Sequence, residues 1–487
     1  MNVSILVWLL PTVIGGGFLY ILVRNARMWR FKNILSDVCS AIFIVAGLFL
    51  ATVPWPLEPL LVAGFLQLLL LVLALRIRFG RLDARFLQRS TYLSLRLTGI
   101  LLGICVLSLL VPNQFILWAI VLISFVVATL FLYQALWTLR HFAPWTSHKF
   151  SLKELPTVTL AIPARNETHA LTDCLAAAVA SDYPKLEIIV LDDCSQDTTS
   201  ALIRSFAQDG VRFVQGSQPA SGWLGKNQAF QTLFEQATGE YILFAGVDTH
   251  VEPQSISRIV QYCVAKNMNM VSVLPQRRDF GFGTFLWQLR YFWQVVFPVT
   301  RHRVPIASQA WMIKTDVLQQ LGGFAAVRNK ITPEGSFARQ LYSKDTYRFV
   351  VSDQHLGFTT AKRFTSQIES ALRFLYPTFK RQPFFTLGAV CFIAMFLSLP
   401  FIVLQVAAPL AIVGLFAMLG LLLSYLLVIA RVIPYAWPLT LLLFPVSLVQ
   451  EAILVVASML LYEFGEVNWK GRNVCYPVIT SNSSKDS

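Results

Sequence analysis

The sequence predicts an α/β domain inserted between N- and C-terminal blocks of α-helical membrane spans, and three observations predict it. Hydrophobic residues make up 55% of the chain and the mean hydropathy is +0.59, well above the level of a soluble domain. Apolar runs of about 20 residues, the length that crosses a bilayer, gather at both ends of the chain and spare the middle. In that middle, short apolar runs alternate with helical patterns, and three of them end in acidic or amide residues: AIPARNE from Ala161, IIVLDDCSQDT from Ile188 and YILFAGVDTH from Tyr241. A fourth signal, GWLGK from Gly222, lies between the last two.

Taken in order, Val3 to Val23, Ile34 to Val53, Pro59 to Leu75, Leu93 to Val111 and Phe115 to Trp137 read as N-terminal spans. Phe384 to Leu404, Ala407 to Ala430 and roughly Pro438 to Tyr462 read as C-terminal ones. The first run is too long for a signal peptide and lacks a small-residue cleavage site, so it reads as an anchor. Arg24, Arg27, Arg30 and Lys32 follow the first span, and Arg76, Arg78, Arg81, Arg85 and Arg89 follow the third, whereas the turns at Pro54 to Glu58 and Pro112 to Gln114 carry no Lys or Arg. By the positive-inside bias the central domain faces the cytoplasm, in a multi-pass protein of the cell membrane. Three C-terminal spans would carry Lys470 and Arg472 across, against the same bias, so one of the last helices either lies in the interface or re-enters. The expected organisation is a membrane block over 1–140, a cytoplasmic domain over 150–381, a second membrane block over 384–462 and a polar tail over 463–487.

The net charge of +14 does not point to nucleic acid, because most basic residues outside the middle sit in short clusters beside apolar spans. The cysteines at 39, 105, 174, 194, 263, 391 and 475 show neither CxxC nor Cys/His metal spacing. That pattern argues against a disulfide framework and fits reducing cytosol and lipid.

Within the centre, Thr157 to Ile162, Leu186 to Leu191, Arg212 to Val214 and Tyr241 to Val247 read as strands, with helices over Cys174 to Ala180 and Thr199 to Ala207. This alternation predicts a parallel sheet covered on both faces. Ligands of such sheets bind beyond the carboxyl ends of the strands, where Arg165, Asn166, Glu167, Asp192, Asp193 and Asp248 all fall. One acid after a strand is usually a helix cap. Three strand ends converging on one crevice make a site.

From Thr157 to Leu341 these residues resemble the family 2 glycosyltransferases of the GT-A (Rossmann-like) fold, on PARNE, VLDDCSQD and GWLGK in that order. With LGGF at Leu321 and WKGR at Trp469, the chain is most similar to the membrane-bound members associated with hopanoid and carotenoid biosynthesis. The resemblance implies a nucleotide-sugar donor, held by Pro163, Arg165, Asn166, Glu167, Asp192 and Asp193, with Lys226 in the loop near the diphosphate, where a cation helps. Lys226 is otherwise a solvated loop residue. It also implies a divalent metal, Mg²⁺ or Mn²⁺, and inverting transfer.

Two positions depart from the family. Most members present Asp-x-Asp at the end of the last of these strands, and here Gly246, Val247 and Asp248 stand there, so only the second carboxylate remains. One carboxylate plus a diphosphate can hold a hard cation; His250 is either a further ligand to Mn²⁺ or a plain loop histidine. After LGGF, relatives carry an acidic pair ending in the catalytic Asp, and Glu334 fills that place. Glu334 is therefore either the base that deprotonates the acceptor or, after Pro333, a first-turn acid on the helix dipole.

The stretch Phe280 to Pro298 puts Phe282, Phe285, Leu289, Phe292, Trp293 and Val296 at helical spacing. It reads as an interfacial helix beside an acceptor entrance, with a plain core helix as the competing account; Lys362 and the basic residues of Arg363 to Arg381 would add contacts to anionic headgroups. The Gln-x-x-Arg-Trp motif of polysaccharide-extending relatives is not found before the last spans, so a single sugar transferred to a membrane lipid acceptor, carotenoid- or hopanoid-like, is the expectation. Two other classes stand beside it: a transporter carrying a degenerate transferase domain, for which Glu451 and Arg96 would be intramembrane charges, and a non-catalytic scaffold of lipid biosynthesis.

Overall fold

The computed structural model describes residues 113–141, 151, 154–300, 303–463, 467–469 and 472–473. The spans expected at Val3 to Val23, Ile34 to Val53, Pro59 to Leu75 and Leu93 to Val111 lie outside the described residues. The fifth is helix α1 (Asn113–His141).

The α/β domain begins with β1 (Val158–Ala164), α2 (Leu171–Val179), β2 (Leu186–Asp192), α3 (Thr199–Ser205), β3 (Val211–Gln215), α4 (Gly225–Gln236) and β4 (Tyr241–Ala245). It continues through β5 (Thr249–Val251), α5 (Ser255–Lys266), β6 (Met270–Leu274), β7 (Gln276–Arg277), α6 (Phe282–Leu286) and α7 (Leu289–Val296). Then come β8 (Ala310–Lys314), α8 (Thr315–Gln320), α9 (Pro333–Tyr342), β9 (Tyr347–Val351), β10 (Phe358–Thr360) and α10 (Phe364–Thr378). The C-terminal helices are α11 (Pro383–Val403), α12 (Ala408–Val432), α13 (Trp437–Leu442) and α14 (Phe444–Glu463), followed by the short pair β11 (Asn468–Trp469) and β12 (Arg472–Asn473).

The main sheet has seven strands in the order β3-β2-β1-β4-β8-β6-β9. β4 and β6 are buried along their whole length, as continuous apolar runs covered on both faces must be. The expected all-parallel sheet is corrected at one strand: β8 runs antiparallel to both β4 and β6. The reason is where the chain re-enters. After α6 and α7 it returns at Ala310, opposite Ala245 at the carboxyl end of β4, so it can only run back down the sheet. A second, three-stranded sheet, β5-β10-β7, stands next to the end of β4 in sequence.

The described residues pack as two compact units, one of residues 127–380 with those from 419 onward and one of residues 113–126 with 381–418. In the first, an aromatic cluster lies on one face of the sheet. Phe244 stacks on Trp311 at 4.4 Å, Phe230 lies 5.0 Å from Phe244, and Phe324 lies 5.6 Å from Phe337. Each such pair contributes about 0.5–1.5 kcal/mol beyond its buried area, and together they tie α4 and α9 to β4 and β8.

The stretch expected as one interfacial helix is two short ones, α6 and α7. Phe285, Leu289, Phe292 and Val296 are buried, and Phe292 meets Phe131 of α1 at 5.8 Å and Tyr425 of α12 at 5.4 Å. Arg290 pairs with Glu451 of α14 at 3.3 Å. The apolar face therefore packs on protein, as the core-helix account has it. In the other unit α11 meets the start of α12 closely: a Cβ at Gly414 would fall 2.4 Å from Val403 Cγ2.

Four described helices are long and apolar enough to cross a membrane: Gln114–Arg140, Pro383–Val403, Ala408–Val432 and Phe444–Tyr462. The last expected span, Pro438 to Tyr462, is divided at Leu443 into α13 and α14. Pro445 sits in the first turn of α14, where its missing N–H costs nothing.

Candidate active site

β1 and β2 pair in parallel with Ala164 opposite Asp192, which sets PARNE and DDCS side by side at the carboxyl edge of the sheet. Their side chains then interlock. The Arg165 guanidinium donates to the carbonyl of Asp193 and, at 3.0 Å, to that of Cys194. Asn166 adopts a left-handed conformation (φ 50°), its Oδ1 accepting from Gln196 N at 3.0 Å. Asp192 accepts from Ser195 N at 3.1 Å and from the Ser200 hydroxyl, and Glu167 N donates to Thr199 Oγ1 at 3.0 Å. Arg165, Asn166 and Asp192 thus hold the two loops in shape. Asp193, with its own N–H on Ala164 O at 2.8 Å, stands at the strand end beside Pro163 and Glu167.

The second corner lies beyond β4. Gly246 donates to Gln309 O at 2.8 Å, and Thr249 Oγ1 donates to the same carbonyl at 3.0 Å. Asp248 Oδ2 pairs with Lys362 Nζ at 3.3 Å. That contact is framed by the backbone: Asp248 O accepts from Thr360 Oγ1 at 2.8 Å and from Ala361 N at 3.1 Å. His250 Nε2 faces the Arg278 guanidinium, and burial first, then Arg278, holds this imidazole below its ordinary value of 6.5.

These residues do not fit the divalent cation that the resemblance implies. Asp248 offers one carboxylate, already shared with an ammonium, and the Nε2 of His250 meets a guanidinium rather than open space. Among the described residues no three His, Cys, Asp or Glu side chains gather as a metal site. A diphosphate and water could supply the other oxygens of a hard cation, but the one carboxylate that would anchor it is already engaged by Lys362.

The third corner is Glu334, in the first turn of α9 behind Pro333 and fully buried. Its Oε1 accepts from the Ser308 hydroxyl and lies 3.9 Å from Lys226 Nζ; its Oε2 is buried with no hydrogen-bond partner. Asn227 holds this corner together. From α4 its Nδ2 donates to Val327 O at 3.0 Å, Arg328 O at 3.0 Å and Lys330 O at 2.7 Å, the loop that leads into α9. Residues 308 and 309 then join the corners, one on Glu334 and the other on the turn before β5.

Lys226 senses the whole arrangement. Burial pushes its ammonium down, Glu334 pulls it back up, Arg373 and Lys362 push it down, and Asp248 pulls it up. Burial also lowers the Arg373 guanidinium, to about 10. Two lysine–carboxylate pairs, Lys226 with Glu334 and Lys362 with Asp248, thus stand in this region.

The sequence brought Asp248, Glu334 and Lys226 into view but missed Ser308, Asn227 and Arg278, and it assigned Lys362 and the stretch that holds Arg373 to headgroups. Only Asn227 had a local signal, as the residue directly after GWLGK. The others reach the site from strands and helices far away in sequence.

Residues 159–334 match the family model described as "Glycosyl transferase family 2". The chain is 33% identical over 125 residues to "Probable glycosyltransferase YdaM" of Bacillus subtilis (strain 168), covering 25% of this chain and 29% of that protein. It is 29% identical over 121 residues to "Glycosyltransferase AglE" of Haloferax volcanii, covering 24% and 38%. The matches thus span about a third of the length of these curated relatives. Among solved structures it is similar to "Mannosyltransferase PcManGT from Pyrobaculum calidifontis in complex with GDP-Man and Mn2+", at 19% identity and a TM-score of 0.43, covering 71% of this chain and 98% of that one. With its mixed seven-stranded sheet and its crevice at the strand ends, the stretch 159–334 is a family 2 glycosyltransferase domain of the GT-A fold.

Proposed function

We propose that this chain is an integral-membrane glycosyltransferase that moves one sugar from a nucleotide-sugar donor to a membrane lipid acceptor, with inversion and without processive extension. The observation that carries the reading is Glu334: a fully buried carboxylate with one oxygen held by Ser308 near Lys226 and the other without a partner. A buried, unpartnered carboxylate oxygen is costly. An acceptor hydroxyl donating to Oε2 would satisfy it and lie where a base can remove its proton.

In this scheme the nucleoside lies against Pro163, Glu167 and Asp193, in loops that Arg165, Asn166 and Asp192 hold in shape. The acceptor oxygen attacks the anomeric carbon as the bond to the diphosphate breaks, the nucleoside diphosphate leaves with the electron pair, and the proton passes to Glu334. Lys226 offsets charge developing on the leaving diphosphate. No step is routed through a divalent cation, since the one Asp248 carboxylate is paired with Lys362. Because Glu334 is enclosed, acceptor entry displaces the side chains that cover it.

A lipid acceptor is favoured by the four helices long and apolar enough to span a membrane on either side of the domain. The domain order proposed is a membrane block, a cytoplasmic transferase domain and a second membrane block. A carotenoid- or hopanoid-like acceptor follows from the sequence resemblance. Against the transporter reading, Glu451 is engaged by Arg290 rather than lining a path. The test is transfer by the purified full chain in lipid nanodiscs, given labelled nucleotide sugars in turn together with a lipid extract. Label in the lipid phase supports the reading. Donor left unconsumed, with no label in lipid under any combination, contradicts it.

A further inference from the structure

We propose that Lys362 stands in for the divalent cation at the donor diphosphate, so that transfer needs no metal and Asp248 serves to hold this ammonium in place. The inference rests on the reading of a nucleotide-sugar site given above.

Three observations carry it. The first is Gly246. An ideal Cβ at this position would fall 2.7 Å from Asp248 Oδ1, so the remaining carboxylate occupies space that a side chain at 246 would enter. The second is the Asp248–Lys362 pair, at 3.3 Å. Lys362 is not a loose surface lysine: its carbonyl accepts from Gln367 Nε2 at 2.8 Å and from Arg277 Nη2 at 3.3 Å, and its neighbours Thr360 and Ala361 bind Asp248 O. Backbone and side chain together fix its ammonium at the end of β4. The third is that Glu334, the other carboxylate facing this crevice, already has its own lysine, Lys226 Nζ at 3.9 Å, so the ammonium of Lys362 is the counterion of Asp248 alone.

A diphosphate needs positive charge beside its bridging and terminal oxygens, and a lysine ammonium delivers it as a point charge with three donors. A dication placed on Asp248 would share its only carboxylate with that ammonium and be repelled by it. The ion pair is therefore an alternative to a metal rather than a partner for one. Asp248 becomes a positioning residue, and Lys362, Lys226 and Arg373 become the diphosphate's partners.

The test uses the full chain in nanodiscs, stripped with EDTA, with UDP and GDP in turn as calorimetric probes and sugar transfer as a second readout. The expected result is that binding and transfer survive EDTA within about twofold. Lys362→Met should weaken nucleoside diphosphate binding by at least about tenfold, the loss of one charged contact, and Lys362→Arg should retain most of it. Manganese electron paramagnetic resonance should find no tight Mn²⁺ site in the wild type. Loss of binding in EDTA that Mn²⁺ restores, with Lys362→Met unaffected, would overturn the proposal while leaving the transferase reading intact. Binding of neither nucleotide under any condition would overturn both. Metal-free binding that depends on Lys362, without transfer, would support the site and count against the acceptor.

Discussion

Asn227→Ala should destabilise the domain and disable the site together, and its cost can be worked from the contacts. The Nδ2 group carries two N–H bonds and faces three carbonyls, at 3.0, 3.0 and 2.7 Å, so two full hydrogen bonds are lost. Arg328 O keeps its bond from Leu224 N, and Val327 O keeps that from Lys330 N. Lys330 O loses its donor. Two net hydrogen bonds at about 0.5–1.5 kcal/mol each, plus one stranded carbonyl at about 1–3 kcal/mol, give about 2–6 kcal/mol. At about 2–4 °C per kcal/mol for a domain of this size, that lowers Tm by roughly 4 to 24 °C. Asn227→Asp has the same shape but turns an acceptor toward the three carbonyls, so it should cost more than alanine. The assay is thermal unfolding of the full chain in detergent, with transfer rates measured well below Tm, where the slackened loop should also lower kcat. If both variants melt within about 2 °C of the wild type, Asn227 does not hold the loop that carries Glu334.

Glu451→Ala should cost about 3–5 kcal/mol by stranding Arg290, whereas Arg290→Met with Glu451→Leu should recover most of it; equal melting of the single variant and the wild type would show that the pair holds nothing. His250 gives a pH signature. Its folded value lies below the ordinary 6.5, so the unfolded chain binds a proton that the folded chain does not, and stability is lost as pH falls below about 6.5. Melting curves from about pH 5 to pH 7 should show an acid decline that His250→Gln flattens, and identical slopes would refute the assignment. Ser308→Ala removes a hydrogen bond to the Glu334 carboxylate and should lower kcat about tenfold or more while leaving the donor KM unchanged; a change confined to KM would place Ser308 in donor binding instead.

Much of the central domain could be read in the chain because each early strand is an apolar run ending in a recognisable polar cluster. β1, β2 and β4 and the helices α2 and α3 follow from that local pattern; α4 does not, and Lys226, expected in a loop, stands in its first turn. β8 could not be read the same way: nothing in AWMIK states a direction, which is set by where the chain re-enters the sheet. The residues of Phe280 to Pro298 had the right period for a helix, but period alone does not distinguish a lipid neighbour from Phe131 and Tyr425. At the site, Asp248 was legible as the remaining carboxylate of a motif and Glu334 as a substitute within another. Their partners Lys362 and Ser308 were not, because an ion pair across 114 residues and a hydrogen bond across 26 leave no mark on local sequence. Arg165 and Asp192 show the converse: motif residues that looked like ligands use their polar groups to hold loops.

The most direct test is mass spectrometry of lipid extracts from cells making the wild-type chain or Glu334→Gln at equal membrane levels. The account predicts one lipid class carrying a single added sugar with the wild type and, because a carboxylate base contributes about 10²- to 10⁴-fold, almost none with the variant. Equal amounts of the glycosylated lipid from both chains would contradict it.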